Sequence, residues 1–519
     1  MAELILLLER SSSEIDATFV KSQIGDSTTV VSAQVPSYSP EFGMVREEWT
    51  GAHHQHGVDF ARTDNDLKLR DIVLVTIPEP ITSRLGLLHV WTSPESTYDI
   101  DAVRIPWNDV KEHLKKTGEL PKGWKPDSRN NPTGKNPTNF WFFSTLPAKK
   151  KPITTLFEPQ PVIPRTLSTG IELDAFERIV LAHSTPGNSI HIWADDDDYD
   201  LLNEMATSLN RNISRIPEGE QDEFKKIPLL VGELDLAEGG GHELREISRR
   251  EHPEKVSRPH DLSRIVNATA KIQDCRIGIR EIEGNTITHV VTSPPYNIGY
   301  DPFNVPTQQN LFGELIAPVR EGYEDDLTPE QYAALLKSTF EAIDSKADSV
   351  AFELYLNIKS NYKGGCCDLP FYMLELMPER WRLLDVLIWR YDISFDPGRG
   401  KYKPLYEWII RVGYGDVDLP ELGMLDWYIP ILKGNSKERI NLLHPAMFPR
   451  ELVKRCLNES NRPAKLVVEP FLGSGTTLAA CLEMGADSIG FELSTNYLPD
   501  IEKRLEWVKF VGNGLFKRA

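Results

Sequence analysis

Cysteine is scarce in this 519-residue chain, with five in all: Cys275, Cys366, Cys367, Cys456 and Cys481. They form no CxxC pair and no spaced Cys/His set, which excludes a disulfide framework and a structural zinc site, and no metal is expected. A reducing, prokaryotic cytoplasm is the expected compartment. Long apolar runs are missing too. The run Leu4 to Leu8 stops at Glu9 and Arg10, and nothing later approaches the ~18 apolar residues that a membrane span takes, so neither a secretion signal nor a membrane segment is expected. A Gly-Lys-Ser/Thr phosphate loop is absent, which argues against a nucleoside triphosphate. Positive charge is short as well: 58 Lys+Arg stand against 77 Asp+Glu, a net −19 at pH 7. Taken alone, that balance counts against a polyanionic partner.

What is present suffices for two folded domains. Hydrophobic residues make up 40% and charged ones 26%, ordinary for a globular protein, and single cores stop growing at roughly 250–300 residues. Gly239-Gly240-Gly241, followed by a charged stretch with Arg245, Arg249, Arg250, Lys255, Arg258 and two prolines, marks a linker over 237–262. The expected domains are therefore 1–236 and 263–519. In the second, strands are read at Ile287 to Thr292, Ser349 to Leu356, Arg382 to Arg390, Leu405 to Val412 and Lys465 to Glu469. The third and fourth flank a Gly/Pro-rich turn and suggest an antiparallel pair at one edge of a larger sheet. Thr328-Pro329-Glu330-Gln331 starts a helix by a capping box, with apolar residues at 332, 335, 336, 340 and 343. Another helix follows from about Thr477 to Met484. This alternation implies an α/β sheet whose ligands gather at the carboxyl ends of strands.

Two segments sit at such ends. Thr292-Ser293-Pro294-Pro295-Tyr296-Asn297 follows a buried strand. Its prolines fix their own φ and lack N–H groups, so a hydroxyl, carbonyl oxygens and an aromatic face are held in nearly one geometry. Ser293 and the Pro294 carbonyl can accept from an exocyclic NH2 while Tyr296 stacks on the ring that bears it. Val468-Glu469-Pro470-Phe471-Leu472-Gly473-Ser474-Gly475-Thr476-Thr477 carries a strand through a glycine turn into a helix, whose N-terminus suits an anionic group. Glu492, at the end of the next strand and about 20 residues after the turn, stands where an acid reaches ribose hydroxyls in nucleotide-cofactor folds.

Together these segments resemble the DNA amino-methyltransferases, in the permuted, beta-class-like group in which the SPPY loop precedes the FxGxG loop. Gln273-Asp274-Cys275 resembles the family's acidic segment contacting the cofactor adenine, and His444 to Pro449 resembles its HPAxFP segment, which packs around the methionine end. The resemblance covers roughly residues 262–510. It implies a Rossmann-like methyltransferase α/β sheet with flanking helices and an antiparallel edge pair. It further implies S-adenosylmethionine held by Asp274, Phe448, Glu469, Phe471, Gly473, Gly475, Thr476, Thr477 and Glu492, with Glu469 standing where Asp is commoner. Ser293, Pro294, Pro295 and Tyr296 are the implied catalytic loop. Thr-Ser-Pro-Pro-Tyr is typical of cytosine-N4 methylation of double-stranded DNA by base flipping and direct in-line transfer. Adenine-N6 methylation is the near alternative, and a catalytically idle DNA-binding protein of a defence system is the alternative of another class. A restriction–modification context implies a cognate endonuclease as partner.

The first half shows fainter likenesses to the same family. Asn131 to Trp141 resembles its GKNPxNxW segment, and Glu177 to Trp193 resembles the approach to an FxGxG loop. Where that loop should come, the chain reads Ala194-Asp195-Asp196-Asp197-Asp198-Tyr199-Asp200, ahead of a helix from Leu201 to Leu209. Aspartates there oppose both close backbone approach and an anionic ligand. A degenerate, non-catalytic methyltransferase-like α/β domain is expected, so that one chain, as a monomer, mimics a dimer of such domains; a homodimer is the other expectation. DNA contact is assigned to local basic patches: Lys149, Lys150, Lys151, Arg249, Arg250, Arg399 and Lys401. Reversing the charge of Lys149, Lys150 and Lys151 together is expected to weaken DNA retention and flatten its salt dependence, as read by filter binding over a series of salt concentrations.

Overall fold

The fold is known from a computed structural model. It describes chiefly residues 3–8, 17–46, 68–77, 85–99, 140–141, 166–218, 266–295, 308–309, 315–316, 327–391, 405–432 and 436–512, with isolated positions left out inside several of these blocks. The expected linker over 237–262 lies outside them.

The first half runs β1 (Leu4–Leu8), α1 (Ala17–Gln23), β2 (Thr29–Gln34), β3 (Tyr38–Ser39), β4 (Gly43–Met44), β5 (Lys68–Thr76), β6 (Leu85–Thr92), β7 (Phe140–Trp141), α2 (Leu173–His183), β8 (Ser189–Trp193), α3 (Asp196–Ser208) and β9 (Asn212–Arg215). Its seven-stranded sheet has the order β7-β5-β6-β2-β1-β8-β9. The second half begins with β10 (Ala268–Ile272), α4 (Cys275–Gly278), β11 (His289–Thr292), β12 (Gln308–Gln309), β13 (Leu315–Ile316), α5 (Pro329–Asp344) and β14 (Ala351–Lys359). It continues with β15 (Asn361–Tyr362), β16 (Gly365–Cys366), α6 (Leu369–Leu376), β17 (Arg382–Arg390), β18 (Tyr406–Gly415) and β19 (Asp426–Tyr428). Last come α7 (Arg450–Glu459), β20 (Leu466–Glu469), α8 (Thr476–Met484), β21 (Asp487–Glu492) and α9 (Leu498–Gly512). Its eight-stranded sheet has the order β10-β21-β20-β11-β14-β18-β17-β19.

The central strands are continuous apolar runs because both faces are covered. Every residue of β1 and β11 is buried, as expected for parallel strands in an α/β layer. Helix α5 opens with the anticipated capping box, Thr328 and Gln331 each bonding the other's backbone N–H, and buries Tyr332, Leu336, Phe340 and Ile343. The antiparallel pair β17/β18 also forms. It is not the outermost pair, because β19 adds in parallel beyond β17. The helix expected from Leu201 starts five residues earlier, at Asp196, because Asp195 accepts from the Asp198 N–H and caps it.

Apart from β10, the two sheets share one plan. Strands β9-β8-β1-β2-β6-β5-β7 match β21-β20-β11-β14-β18-β17-β19 in order and in every parallel or antiparallel sense. Even the bulge repeats. It falls between Leu69 and Asp71 opposite Val90 in one sheet, and between Leu383 and Asp385 opposite Arg411 in the other. Both aspartates are buried.

The halves dock reciprocally. The hairpin β3–β4, which follows β2, lies on β17, and β16, of the hairpin that follows β14, lies beside β5. A side chain at Gly43 would put Cβ 2.5 Å from the Leu383 carbonyl oxygen, and its φ is +86°, so glycine is required for this contact. Tyr38 donates its hydroxyl to the Pro420 carbonyl and Tyr406 donates to that of Ile72, the latter at 2.7 Å. Arg46 reaches the carbonyl oxygens of Leu374, Met377, Pro378 and Trp381 around the end of α6. One hydrophobic cluster therefore contains residues of both halves, Tyr38, Met44, Ile72 and Leu74 with Leu383, Trp408 and Ile410 among them.

Candidate functional site

In the second sheet the connections diverge between β11 and β20: the path from β11 runs through α5 to β14 on one side, and that from β20 through α8 to β21 on the other. This is the switch point at which an open α/β sheet leaves a crevice. Two side chains bridge it. Thr292, the last residue of β11, donates its hydroxyl to Glu469, the last residue of β20. Glu469 also accepts from the Thr477 hydroxyl at 2.7 Å and from the Phe471 N–H at 3.0 Å. Burial pushes its carboxyl up to about 8, against the pull of those donors. The expected cofactor residue is thus a structural clamp that ties the two loops together.

From Glu469 the chain passes through Pro470 to Gly475 before α8 begins. Gly473 and Gly475 have φ of +51° and +79°, conformations that glycine adopts without strain. A Cβ on Gly473 would fall 2.8 Å from His444 Nε2. The Gly473 N–H is held by Glu492 at 2.8 Å, and the other oxygen of Glu492 accepts from the Ser494 N–H at 2.9 Å. No side chain caps the N-terminus of α8, which leaves it suited to a carboxylate. Arg504 of α9 donates to Thr476 Oγ1 and, from Nη2, to the Glu438 carbonyl at 3.2 Å. Asp274 caps α4 beside the end of β10, and hydrogen bonds from Arg276 hold its carboxyl below the usual range. Exposed Ile272 and Leu493 adjoin Asp274 and Glu492, so a carboxylate pair is flanked by apolar surface.

The residues named for a nucleoside cofactor therefore converge on one edge. Asp274, Phe471, Gly473, Gly475, Thr476, Thr477 and Glu492 all lie at the β10–β21–β20 end of the crevice. Phe448 does not point to the same place so directly: it is partly buried against the core that carries Leu452, Val453 and Val467. From that segment His444 reaches the glycine loop instead. Its N–H bonds Asp500 at 2.8 Å and its ring lies edge-on to Tyr497 at 4.6 Å.

Across the crevice, Ser293 and the two prolines follow β11 directly. The Pro295 carbonyl accepts from the Tyr332 hydroxyl at 2.6 Å, which pins the loop to α5. Among the described residues no donor reaches the Pro294 carbonyl. Asn357 Nδ2 lies 3.4 Å from Ser293 Oγ and 2.9 Å from Glu407 Oε2, and Lys359 pairs with the other Glu407 oxygen. These three were missed in the sequence. Of these, only Glu407 lay inside a strand as read, Leu405 to Val412; Asn357 and Lys359 fall just past the strand read to Leu356, which the structure extends to Lys359. Tyr296, Lys149, Lys150, Lys151, Arg249, Arg250, Arg399 and Lys401 lie outside the described residues, as does the Asn131 to Asn139 part of the GKNPxNxW-like segment.

Among its described residues the first half lacks this apparatus. Strand β8 reaches α3 through Ala194 and Asp195 alone, so the glycine loop is not replaced by aspartates, as the sequence suggested, but is missing. Asp196 to Asp198 form the first helical turn. Buried Asp198 accepts from both the N–H and the hydroxyl of Ser168, at 2.8 and 2.6 Å, and the helix N-terminus is filled by the chain's own carboxylates. Counting from the shared bulge through the strand registers, Leu7 and Leu8 stand where the second half has Thr292 and Ser293, and Ile192 where it has Glu469.

Among the described residues no group of three His, Cys, Asp or Glu side chains is arranged to hold a metal ion, and no helix is long and apolar enough to cross a membrane. The DNA methylase family model matches residues 412–503. The type II methyltransferase M.ScaI of Streptomyces caespitosus is 24% identical over 253 residues, which covers 42% of this chain and 74% of that one. M.MjaII of Methanocaldococcus jannaschii is 31% identical over 115 residues, 20% of each chain. Among solved structures, the PvuII DNA methyltransferase (cytosine-N4-specific) is 18% identical with a TM-score of 0.35, covering 48% of this chain and 93% of that one. The M1.HpyAVI–SAM complex is 16% identical with a TM-score of 0.33, covering 46% and 98%.

The Glu469 clamp has a pH signature. Its folded carboxyl titrates at about 8 instead of 4.5, so between those values the folded state keeps a proton that the unfolded chain has released. Stability contributed by this group therefore falls as pH rises through that window, by up to about 1.4 kcal/mol per pH unit. Glu469→Gln removes the titration. Melting temperatures measured from pH 5 to 8 are expected to shift steadily in the variant's favour relative to the unsubstituted protein; a constant difference would refute the buried-acid assignment.

Proposed function

We propose that this chain is an S-adenosylmethionine-dependent DNA methyltransferase that modifies the exocyclic N4 amine of cytosine in double-stranded DNA, within a restriction–modification pair. The observation that carries the reading is the meeting of two loops at one switch point: Ser293-Pro294-Pro295 after β11 and the uncapped glycine turn after β20, tied by Thr292 and Glu469.

The residues on the cofactor side suit S-adenosylmethionine. The open α8 N-terminus suits its carboxylate, Glu492 its ribose, and Asp274 with Ile272 and Leu493 its adenine. When bound, it supplies an electrophilic methyl group. The protein's own work is then positional. Ser293 Oγ and the Pro294 carbonyl accept the two N–H bonds of the target amine and direct its lone pair at the methyl carbon. Tyr332 keeps the loop from turning by occupying the Pro295 carbonyl. Since that amine lies inside a duplex, the base is flipped out, and Tyr296 is the stacking platform for it. The Thr-Ser-Pro-Pro-Tyr form of the loop favours cytosine over adenine.

The first half, with its filled helix N-terminus and apolar residues in place of Thr292, Ser293 and Glu469, does not hold cofactor in this reading and serves structure and DNA contact. Calorimetric titration of the full chain with S-adenosylmethionine is expected to give one site per chain, and two sites would refute a silent first half. Incubation with unmethylated DNA and cofactor, followed by mass spectrometry of the digested nucleosides, is expected to yield N4-methylcytosine. N6-methyladenine would reassign the base, and no methylated base would sink the transferase reading. Ser293→Ala is expected to lower turnover at least 100-fold with cofactor affinity kept.

A further inference from the structure

The polar set behind Ser293 is more than the fold requires. Asn357 and Glu407 are 5% and 2% exposed, in strands β14 and β18 that are otherwise apolar near that end. The first half builds the same strand pair without them: counting from the shared bulge, Ala33 stands at the position of Asn357 and Gly86 at that of Glu407. The sheet therefore closes equally well with no polar group there. The set occurs only in the half that carries the Ser-Pro-Pro loop.

Its geometry dictates one arrangement. The Glu407 carboxylate accepts only, so Asn357 must turn its NH2 toward it; the reverse flip would set two acceptors against each other. The same NH2 lies 3.4 Å from Ser293 Oγ. Ser293 is thereby made an acceptor on its inner side, and its hydroxyl hydrogen is turned away from Asn357. Tyr406, the residue before Glu407, donates its hydroxyl to the Ile72 carbonyl of the first half at 2.7 Å and is fully buried. The start of β18 is thus anchored on β5.

We infer that Asn357 and Glu407 are a positioning pair that sets the hydrogen-bond polarity of Ser293, and that the first half braces this pair through the Tyr406–Ile72 bond. The inference rests on the methyltransferase reading above. It gives the silent half a function in catalysis at a distance from DNA.

Asn357→Asp tests it, because a carboxylate there donates only when protonated. The charged groups around that position are Glu407 on β18 and Lys359 one turn of the pleat along β14; Glu353 and Arg411 lie further back and pair with each other. The single O–H of the protonated form lies between the two carboxylates and does not reach Ser293, which faces an acceptor in either state. Transfer of labelled methyl groups from S-adenosylmethionine to unmethylated DNA is measured for the full chain from pH 6 to 8.5, with melting temperature and cofactor affinity alongside. From pH 6 to 8.5 the kcat of Asn357→Asp is expected to stay about 100-fold below that of the unsubstituted protein, as for a group misplaced by an ångström. Cofactor affinity stays unchanged. An undiminished kcat, or a loss of kcat matched by a loss of cofactor affinity, overturns the inference. Should Asn357→Asp not fold, Glu407→Gln and Tyr406→Phe take its place: each is expected to lower kcat at least severalfold with melting temperature and cofactor affinity kept, and unchanged kcat in both overturns it. If the unsubstituted protein itself transfers no label, the methyltransferase reading fails, a result distinct from active variants.

Discussion

The bond between Thr292 and Glu469 joins the two strands from which everything at the site departs. Parallel neighbours β11 and β20 would hold their ends together by backbone ladder alone, yet each must release a loop with its own geometry. Burying one carboxyl under three donors fastens both loop starts at a single point. The cost is an acid kept near neutrality in its titration, which a site of purely backbone contacts would not incur. The rest of the crevice is built outward from that point: the glycine turn held by Glu492 on one side, and the proline turn held by Tyr332 on the other.

The duplicated sheet separates what the fold needs from what the chemistry needs. Both halves keep the strand order, the pairing senses, the bulge and its buried aspartate. Only one keeps the polar residues at the strand ends. In the other, leucines, an isoleucine, an alanine and a glycine occupy those positions, and Asp195 caps the helix N-terminus that the glycine turn leaves open. The same strand order and pairing therefore form with or without polar groups at these positions. The reciprocal hairpins make each half a docking face for the other, since β5 and β17 each receive a hairpin from the opposite half.

The net charge of −19 reads differently in this light. Part of it is the Asp195 to Asp198 run, of which Asp195 caps α3 and buried Asp198 binds Ser168, while Asp196 pairs with Arg215 at the surface. Acidity of that kind says little about the surface offered to DNA.

Much of the architecture was legible because its signals are local. The capping box at Thr328 and Gln331, the β-branched run before Ser293 and the glycines after Glu469 each dictate their own conformation through sterics and short-range hydrogen bonds, and strand Arg382 to Arg390 was placed to the residue. The order of the two chemical loops was equally plain. What the chain could not disclose is which distant residues would meet. Glu469 reads as a cofactor ligand until Thr292 and Thr477 are seen to surround it. Asn357 and Glu407 are fifty residues apart, and the aspartate run reads as a loop until Asp195 is seen to cap a helix. By itself the sequence determined the kind of sheet and the kind of loops, because propensity, burial pattern and turn chemistry act over a few residues. Tertiary structure alone decided the roles within the site, because hydrogen-bond partners and desolvation are set by strands brought together across the whole chain.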